Sequence, residues 1–120
     1  MVTNYEKLEV WQKSMDFVKN IYTVTLEFPN EEKFGIVSQI RRAAVSIPSN
    51  IAEGSGRGTK PSFCNFIYIA RGSAYEVETL LTVSYSLGFF IKELFLQKKG
   101  ELQEIIRMLN GLINSLKKEL

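Results

Sequence analysis

The sequence has no histidine and a single cysteine, Cys64. Without histidine the chain can assemble neither a histidine-based catalytic triad nor a Cys/His zinc site. A lone cysteine forms no disulfide within the chain. Its place beside Phe63 and Phe66 predicts a small buried side chain rather than a reactive thiol. We therefore expect no metal and no cofactor.

Long apolar runs are also absent. No apolar stretch approaches the length of a membrane-spanning helix, and no basic segment leads into a leucine-rich one, so we expect a soluble, cytoplasmic protein with no membrane partner. The chain has 120 residues, of which 45% are hydrophobic and 23% charged. This composition predicts one compact domain over residues 1–120 with its own core.

Neither a pair of acids nor a phosphate-binding loop in this sequence predicts catalysis. Glu76 and Glu78 stand two residues apart on a predicted helix, so they face different directions and make a poor acid/base pair. The glycine-rich loop at 54–60 lacks the preceding strand and the spacing of a nucleotide-binding loop, and a turn between two helices is the better interpretation. The sequence therefore predicts a protein that is not an enzyme.

Helical periodicity dominates the chain, and no segment alternates as a strand does. Glycines and prolines divide it into four amphipathic segments. The predicted helices cover residues 5–28, from 31 or 32 to the glycines that begin at 54, from a cap at Thr59 to about 87, and 92–118. Pro48 falls inside the second, where we expect a kink. The predicted fold is all-α, an up-down-up-down four-helix bundle that forms oligomers.

Positive charge is concentrated in the middle of the chain. Residues 41–75 carry a net charge of +4, against −2 for residues 1–40 and zero for the remainder. Lysine and arginine side chains neutralise phosphates, so this third is the predicted nucleic-acid surface. Its candidates are Arg41, Arg42, Arg57, Lys60 and Arg71. For Arg41 and Arg42 a second interpretation stays open: pairing with an acid of a neighbouring helix, such as Glu76 or Glu78. Arg57 and Lys60 are expected to be exposed.

Apolar residues exceed what a small monomeric bundle needs. The first segment has two parallel apolar rows, and tyrosines of the third segment lie away from its apolar seam. Such tyrosines can stack on single-stranded bases, but a subunit contact is the preferred interpretation. The candidate oligomer interface consists of Trp11, Phe17, Phe28, Tyr68 and Tyr75.

The block Ile-Arg-Arg-Ala-Ala-Val-Ser-Ile-Pro-Ser-Asn-Ile-Ala-Glu-Gly at 40–54, with the segments 5–13, 69–79 and 108–113, supports a resemblance. The chain resembles the four-helix bundle proteins encoded in bacterial 23S rRNA intervening sequences, a family sometimes labelled a ribosomal protein. It is also similar to the accessory protein of diversity-generating retroelements, a basic pentamer that binds a reverse transcriptase and nucleic acid. The resemblance implies a homo-oligomer, with a ring-shaped pentamer the expected form.

Two functions are compatible with these features. The first is a non-enzymatic oligomeric bundle that binds structured RNA, rRNA included, or an RNA–protein complex through the basic middle third. The alternative is an adaptor scaffold that recruits a protein, such as a reverse transcriptase or another enzyme, and has no affinity of its own for nucleic acid. Neither needs a cofactor.

Overall fold

Helices account for nearly all of the regular structure in the computed structural model, which describes residues 4–118. Within these residues there are four α-helices and no strand, as the periodicity predicted. None of the helices is long and apolar enough to cross a bilayer. The elements are a 3-10 turn at Tyr5–Lys7, α1 at Glu9–Thr25, a 3-10 turn at Asn30–Glu32, α2 at Ile36–Ser55, α3 at Lys60–Ser86 and α4 at Lys92–Lys118.

Each helix packs mainly on its neighbours in the sequence. The contact between α2 and α3 is the most extensive, those of α3 with α4 and α1 with α2 are smaller, and α1 touches α4 least. The body measures 45 × 23 × 20 Å. Burying each large aliphatic side chain stabilises it by about 1.5–3 kcal/mol. The largest fully buried side chains include Ile21 of α1, Ile40, Ile47 and Ile51 of α2, Ile67 and Leu81 of α3, and Leu102 and Leu109 of α4.

The first two helices are shorter than predicted. The described residues start with a separate 3-10 turn, capped by the Asn4 side chain, and the extended backbone of Leu8 separates this turn from α1. The acids at Glu31 and Glu32 likewise form their own 3-10 turn instead of opening α2. Gly35 interrupts the chain after them, because its backbone (φ −107°, ψ −114°) lies outside the helical region. α2 then runs without a break through the buried Pro48.

Gly54 was expected to end α2, but it lies inside the helix and is buried against α3. A Cβ atom at this position would come within 2.5 Å of the Cβ of Phe66 and 3.1 Å of Cδ1 of Phe63. Distances this short force a neighbour to move. The glycine is therefore a packing residue that lets the end of α2 approach α3 closely.

Replacing Gly54 with alanine should lower the free energy of unfolding. Overpacking of this kind typically costs about 1–3 kcal/mol, more than the 0.5–1 kcal/mol that alanine contributes to helix propensity. Gly111→Ala is the matched control, because a Cβ there meets nothing within 4 Å. Gly111→Ala should raise the free energy of unfolding. Urea titrations of the two variants measure both changes. Equal stabilisation by both substitutions would contradict the packing role.

Aromatic packing joins the two connections at one end of the bundle. The Phe28 ring, after α1, lies 5.6 Å from the ring of Phe89 and 5.4 Å from that of Phe90, both after α3. Gly88 (φ 78°) lets the chain reverse there, and the Phe89 amide donates to the Ser84 carbonyl at 2.9 Å. The connections between α1 and α2 and between α3 and α4 therefore form one packed unit.

Candidate interaction surfaces

Arg41 is bound to the last turn of α1. Its Nε donates to Oγ1 of Thr25 at 2.9 Å, and its Nη2 donates to the Tyr22 carbonyl at 3.2 Å. The guanidinium also lies 4.5 Å from the Tyr22 ring centroid. A cation at a helix C-terminus is favoured by the helix dipole. Arg41 thus connects α2 to α1. Its role is structural, as one of the two open interpretations held, but its partners are a hydroxyl, a carbonyl and a ring of α1 instead of a carboxylate.

Arg42 points to the other side of α2 and is exposed. It lines a groove of about 630 Å³ between α2 and α3, together with Ser46, Phe34 and Glu76. Among the described residues, neither Arg41 nor Arg42 forms an ion pair with Glu76 or Glu78, so the pairing that the sequence left open as a second interpretation is not observed. Arg42 has no hydrogen-bond partner in residues 4–118 and remains available to a ligand.

Arg57 and Lys60 lie at the short connection between α2 and α3. Arg57 is exposed, its Nη2 is 2.7 Å from Oε2 of Glu53, and its guanidinium lies 4.7 Å from the Phe66 ring. Both partners of the ion pair are about half exposed, so it stabilises the fold little. Lys60 is half-buried as the first residue of α3, which differs from its expected exposure.

Arg71 connects α3 to α4. Its Nη1 donates to Oδ1 of Asn110 at 2.9 Å, and its guanidinium lies 5.0 Å from the Tyr68 ring. Arg41 thus lies on the α1–α2 side, Arg42 on the α2–α3 side and Arg71 on the α3–α4 side. The five candidate cations do not form one face, because the side-chain direction turns by about 100° per residue and the chain reverses after α2.

Two of the candidate interface residues lie inside the chain's own core. Phe17 and Phe28 are both buried, Phe17 in the main core and Phe28 in the aromatic cluster at the connections. They are therefore unavailable to a second subunit, and their assignment to an interface is corrected. The row of Phe17 on α1, with Val10, Ile21 and Val24, faces the bundle, since a helix in a four-helix bundle packs on two neighbours and uses a wide apolar face.

Trp11 is half-buried and borders a shallow groove between α1 and α2. Its ring meets the Tyr5 ring edge-on at 5.2 Å. The groove has a volume of about 300 Å³ and mostly apolar walls. Its other lining residues are Met15, Val18, Val45, Pro48, Ser49 and Ala52. We call this feature the α1–α2 groove.

Tyr68 and Tyr75 lie on the outer face of α3, where the structure adds Ile69 and Val83. All four side chains are between one third and about one half exposed. Gly72 lies among them, and a Cβ there would meet nothing within 4 Å. We call these five residues the α3 ridge. Sequence reasoning missed Ile69 and Val83, although both lie off the buried stripe and their spacing was the available signal.

Acidic side chains do not gather into a metal site in residues 4–118, where no three Asp, Glu or Cys residues are close enough to hold an ion. A cleft of about 420 Å³ separates α1 from α4 and contains Asp16, Glu101 and Glu104. Two of these carboxylates already bind cations, Glu101 to Lys98 at 3.3 Å and Glu104 to Arg107. The cleft thus presents paired charges rather than a set of converging acids.

Arg41 and Arg42 should differ sharply when each is replaced with alanine. Arg41→Ala removes two hydrogen bonds and leaves the end of α1 without its partner, which we expect to cost about 1–3 kcal/mol of unfolding free energy. Arg42→Ala should stay within about 0.5 kcal/mol of the parent protein. Urea titrations of both variants measure the difference. Similar losses in both would contradict the structural assignment.

Comparison with known proteins agrees with the four-helix architecture. Residues 6–111 match the family model described as 23S rRNA-intervening sequence protein. A crystal structure of a protein of unknown function from the S23 ribosomal protein family of Bacteroides thetaiotaomicron is similar, with a TM-score of 0.81 and 28% sequence identity. The alignment covers 88% of this chain and 95% of that one. Among curated proteins, none matches the chain.

Proposed function

The chain belongs to the 23S rRNA-intervening sequence protein family, and we propose that it is a non-enzymatic scaffold, an up-down-up-down bundle that assembles with copies of itself. Contacts between successive helices and the short connection from α2 to α3 support the antiparallel arrangement. The exposed apolar face of α3, the α3 ridge, is the observation that supports self-assembly.

The α3 ridge has the properties of a helix-packing surface. Its apolar side chains run from Tyr68 to Val83, about 22 Å along the helix at 1.5 Å per residue. Solvent-facing sides of helices usually carry charged and polar residues, so exposed apolar side chains that share one face, here interrupted by Thr79, are typical of an interface. Gly72 lies near its middle, where the lack of a side chain allows another helix to approach closely.

A ring is the assembly that these surfaces favour. The α3 ridge and the α1–α2 groove lie on different sides of the bundle and differ in shape, one convex and one concave. Contact between two unlike surfaces is heterologous, and repeated heterologous contacts close into a ring when the rotation permits. A ring-shaped homopentamer is the form that the resemblance implies, and we retain it as the proposed assembly.

Ile69→Asp should break the assembly. An unpaired carboxylate buried at the contact costs more than an apolar side chain contributes there, so the mass measured by light scattering should fall toward that of one chain. Leu96→Asp is the matched control on α4, because Leu96 and Ile69 are both 51% exposed. Its mass should not change. An unchanged mass for Ile69→Asp, with a native circular dichroism spectrum, would disprove the ridge contact.

Binding of structured RNA is the second candidate, and unneutralised charge favours it. Within the described residues, no carboxylate offsets the charges of Arg41, Arg42 and Arg71. Arg42 also has no hydrogen-bond partner there, so its guanidinium is available to a phosphate. A ring would also repeat each arginine once per subunit. The family is named for a 23S rRNA intervening sequence, and the structural relative belongs to a family named for a ribosomal protein. A scaffold without RNA affinity is the adaptor alternative.

A salt titration separates these two roles. If the assembly binds a structured fragment of 23S rRNA, its affinity should fall steeply between about 50 and about 200 mM salt, since each neutralised phosphate contributes about 0.7–0.9 to the slope. Arg42→Gln should reduce that slope. Arg57→Gln, whose charge Glu53 already offsets, should reduce it less. A flat response in the parent protein would exclude the RNA role and favour the adaptor.

A further inference from the structure

We propose that the groove between α2 and α3 binds an unpaired guanosine nucleotide of a structured RNA. We call this cavity of about 630 Å³, which Arg42, Phe34 and Glu76 line, the α2–α3 groove. The inference rests on the proposed RNA role and adds the base that the site recognises. It uses neither the α3 ridge nor the α1–α2 groove, so it can fail independently of self-assembly.

Arg42 and Glu76 lie on opposite walls of the α2–α3 groove. The hydroxyls of Ser46 on α2 and Ser73 on α3 hydrogen-bond at 2.9 Å. Residues 56–59 join these two helices, whose contact is the most extensive in the bundle, so a step back along α2 corresponds to a step forward along α3. One helical turn from the serine pair, Arg42 is therefore level with Glu76. Packed helices lie about 8–10 Å apart, which leaves room for a ligand between the two side chains.

The two charged side chains are exposed and unpaired. Within residues 4–118, the side chains of Arg42 and Glu76 form no hydrogen bond or ion pair, although they line the same groove. A guanidinium binds a phosphate through two parallel N–H donors, and a carboxylate accepts two parallel donors. The groove thus offers a phosphate site on the α2 wall and an acceptor for N–H groups on the α3 wall.

Phe34 adds an aromatic ring to the same groove. Its side chain is 89% exposed, more than any other large hydrophobic residue of the described chain. Nζ of Lys33 lies 5.6 Å from the ring centroid, which leaves the opposite face of the ring to a ligand. Proteins hold the unpaired bases of RNA by stacking them on exposed aromatic side chains. Phe34 therefore points to a ligand with a flat ring.

The charges around the α2–α3 groove cancel, so they do not select a polyanion by sign. Arg42 offsets Glu76 within the groove. Beside it, Lys33 offsets Glu32, whose Oε1 would lie 3.1 Å from a Cβ atom on Gly35 of the groove wall. The ligand must therefore satisfy a cation and a carboxylate at once. A free amino acid carries its ammonium and carboxylate groups on one carbon atom, too close together to reach two helices about 8–10 Å apart.

Guanosine is the nucleotide that suits both walls. Its phosphate and its Watson–Crick edge lie at opposite ends of the nucleotide, as Arg42 and Glu76 lie on opposite walls. Guanine carries two adjacent donors on that edge, N1–H and the 2-amino group, and a carboxylate accepts from both. The other bases present an acceptor beside their donor on that edge. Base pairing occupies the Watson–Crick edge, so the nucleotide must come from a loop or a bulge.

A fluorescent hexaribonucleotide tests the base preference. The probe is hexauridylate with guanosine in place of one central uridine, and the comparison strands carry uridine or inosine there. We expect the assembled protein, measured by anisotropy, to bind the guanosine strand about tenfold more tightly than the uridine strand. Inosine lacks the 2-amino group and should fall between them. Equal affinities for guanosine and uridine strands, or no binding of any strand, would overturn the proposal.

Free guanine nucleotides offer the same chemistry as an RNA guanosine, and competition separates the two sources. Guanosine 5′-monophosphate should displace the guanosine strand only at concentrations at least about tenfold above those of the unlabelled strand, because it lacks the neighbouring phosphates. Equal potency of the mononucleotide would show a site for free nucleotides and overturn the assignment to RNA.

Three variants place the base on the molecule. Glu76→Gln should abolish the preference for guanosine, because an amide offers one acceptor oxygen where a carboxylate offers two. Glu78→Gln is the matched control and should keep the preference, since Glu78 lines a different cavity. Phe34→Ser should weaken every strand about fivefold or more. A guanosine preference that survives Glu76→Gln, or unchanged affinities in Phe34→Ser, contradicts the proposal.

These results are distinct from the salt titration with the 23S rRNA fragment. Salt-dependent binding of that fragment together with equal affinities for the guanosine and uridine strands overturns the guanosine site and leaves the RNA role standing. A guanosine preference that depends on Glu76 supports the site whatever affinity the rRNA fragment has.

Discussion

The close packing of α2 on α3 is the constraint on which the other surfaces depend. Gly54 lets the two helices meet near their connection, and the hydroxyls of Ser46 and Ser73 hydrogen-bond at 2.9 Å halfway along them. Together with the buried stripe of α3, these two contacts set how α3 is rotated about its own axis. Once that rotation is set, Arg71 faces α4 and the α3 ridge faces solvent, since side-chain direction along a helix follows from position.

Positive charges that are adjacent in the sequence are separated from one another in the fold. Arg41 and Arg42 are adjacent, but one binds the C-terminal turn of α1 and the other faces the α2–α3 groove. A net charge summed over a segment therefore says little about a binding surface when the segment spans two antiparallel helices. What matters for a phosphate is which guanidinium groups lack a carboxylate partner, and that requires the contacts between helices.

Much of the fold could be predicted, because core positions repeat with the helical period. Ile40, Ile47 and Ile51 were expected in the core and are fully buried, and the predicted bounds of α4 are those observed. The misses depend on tertiary contacts. Spacing cannot distinguish a glycine that ends a helix from one, like Gly54, that lies under a neighbouring phenylalanine. Nor can it show which of two apolar rows on α1 faces the bundle, so Phe17 was misplaced.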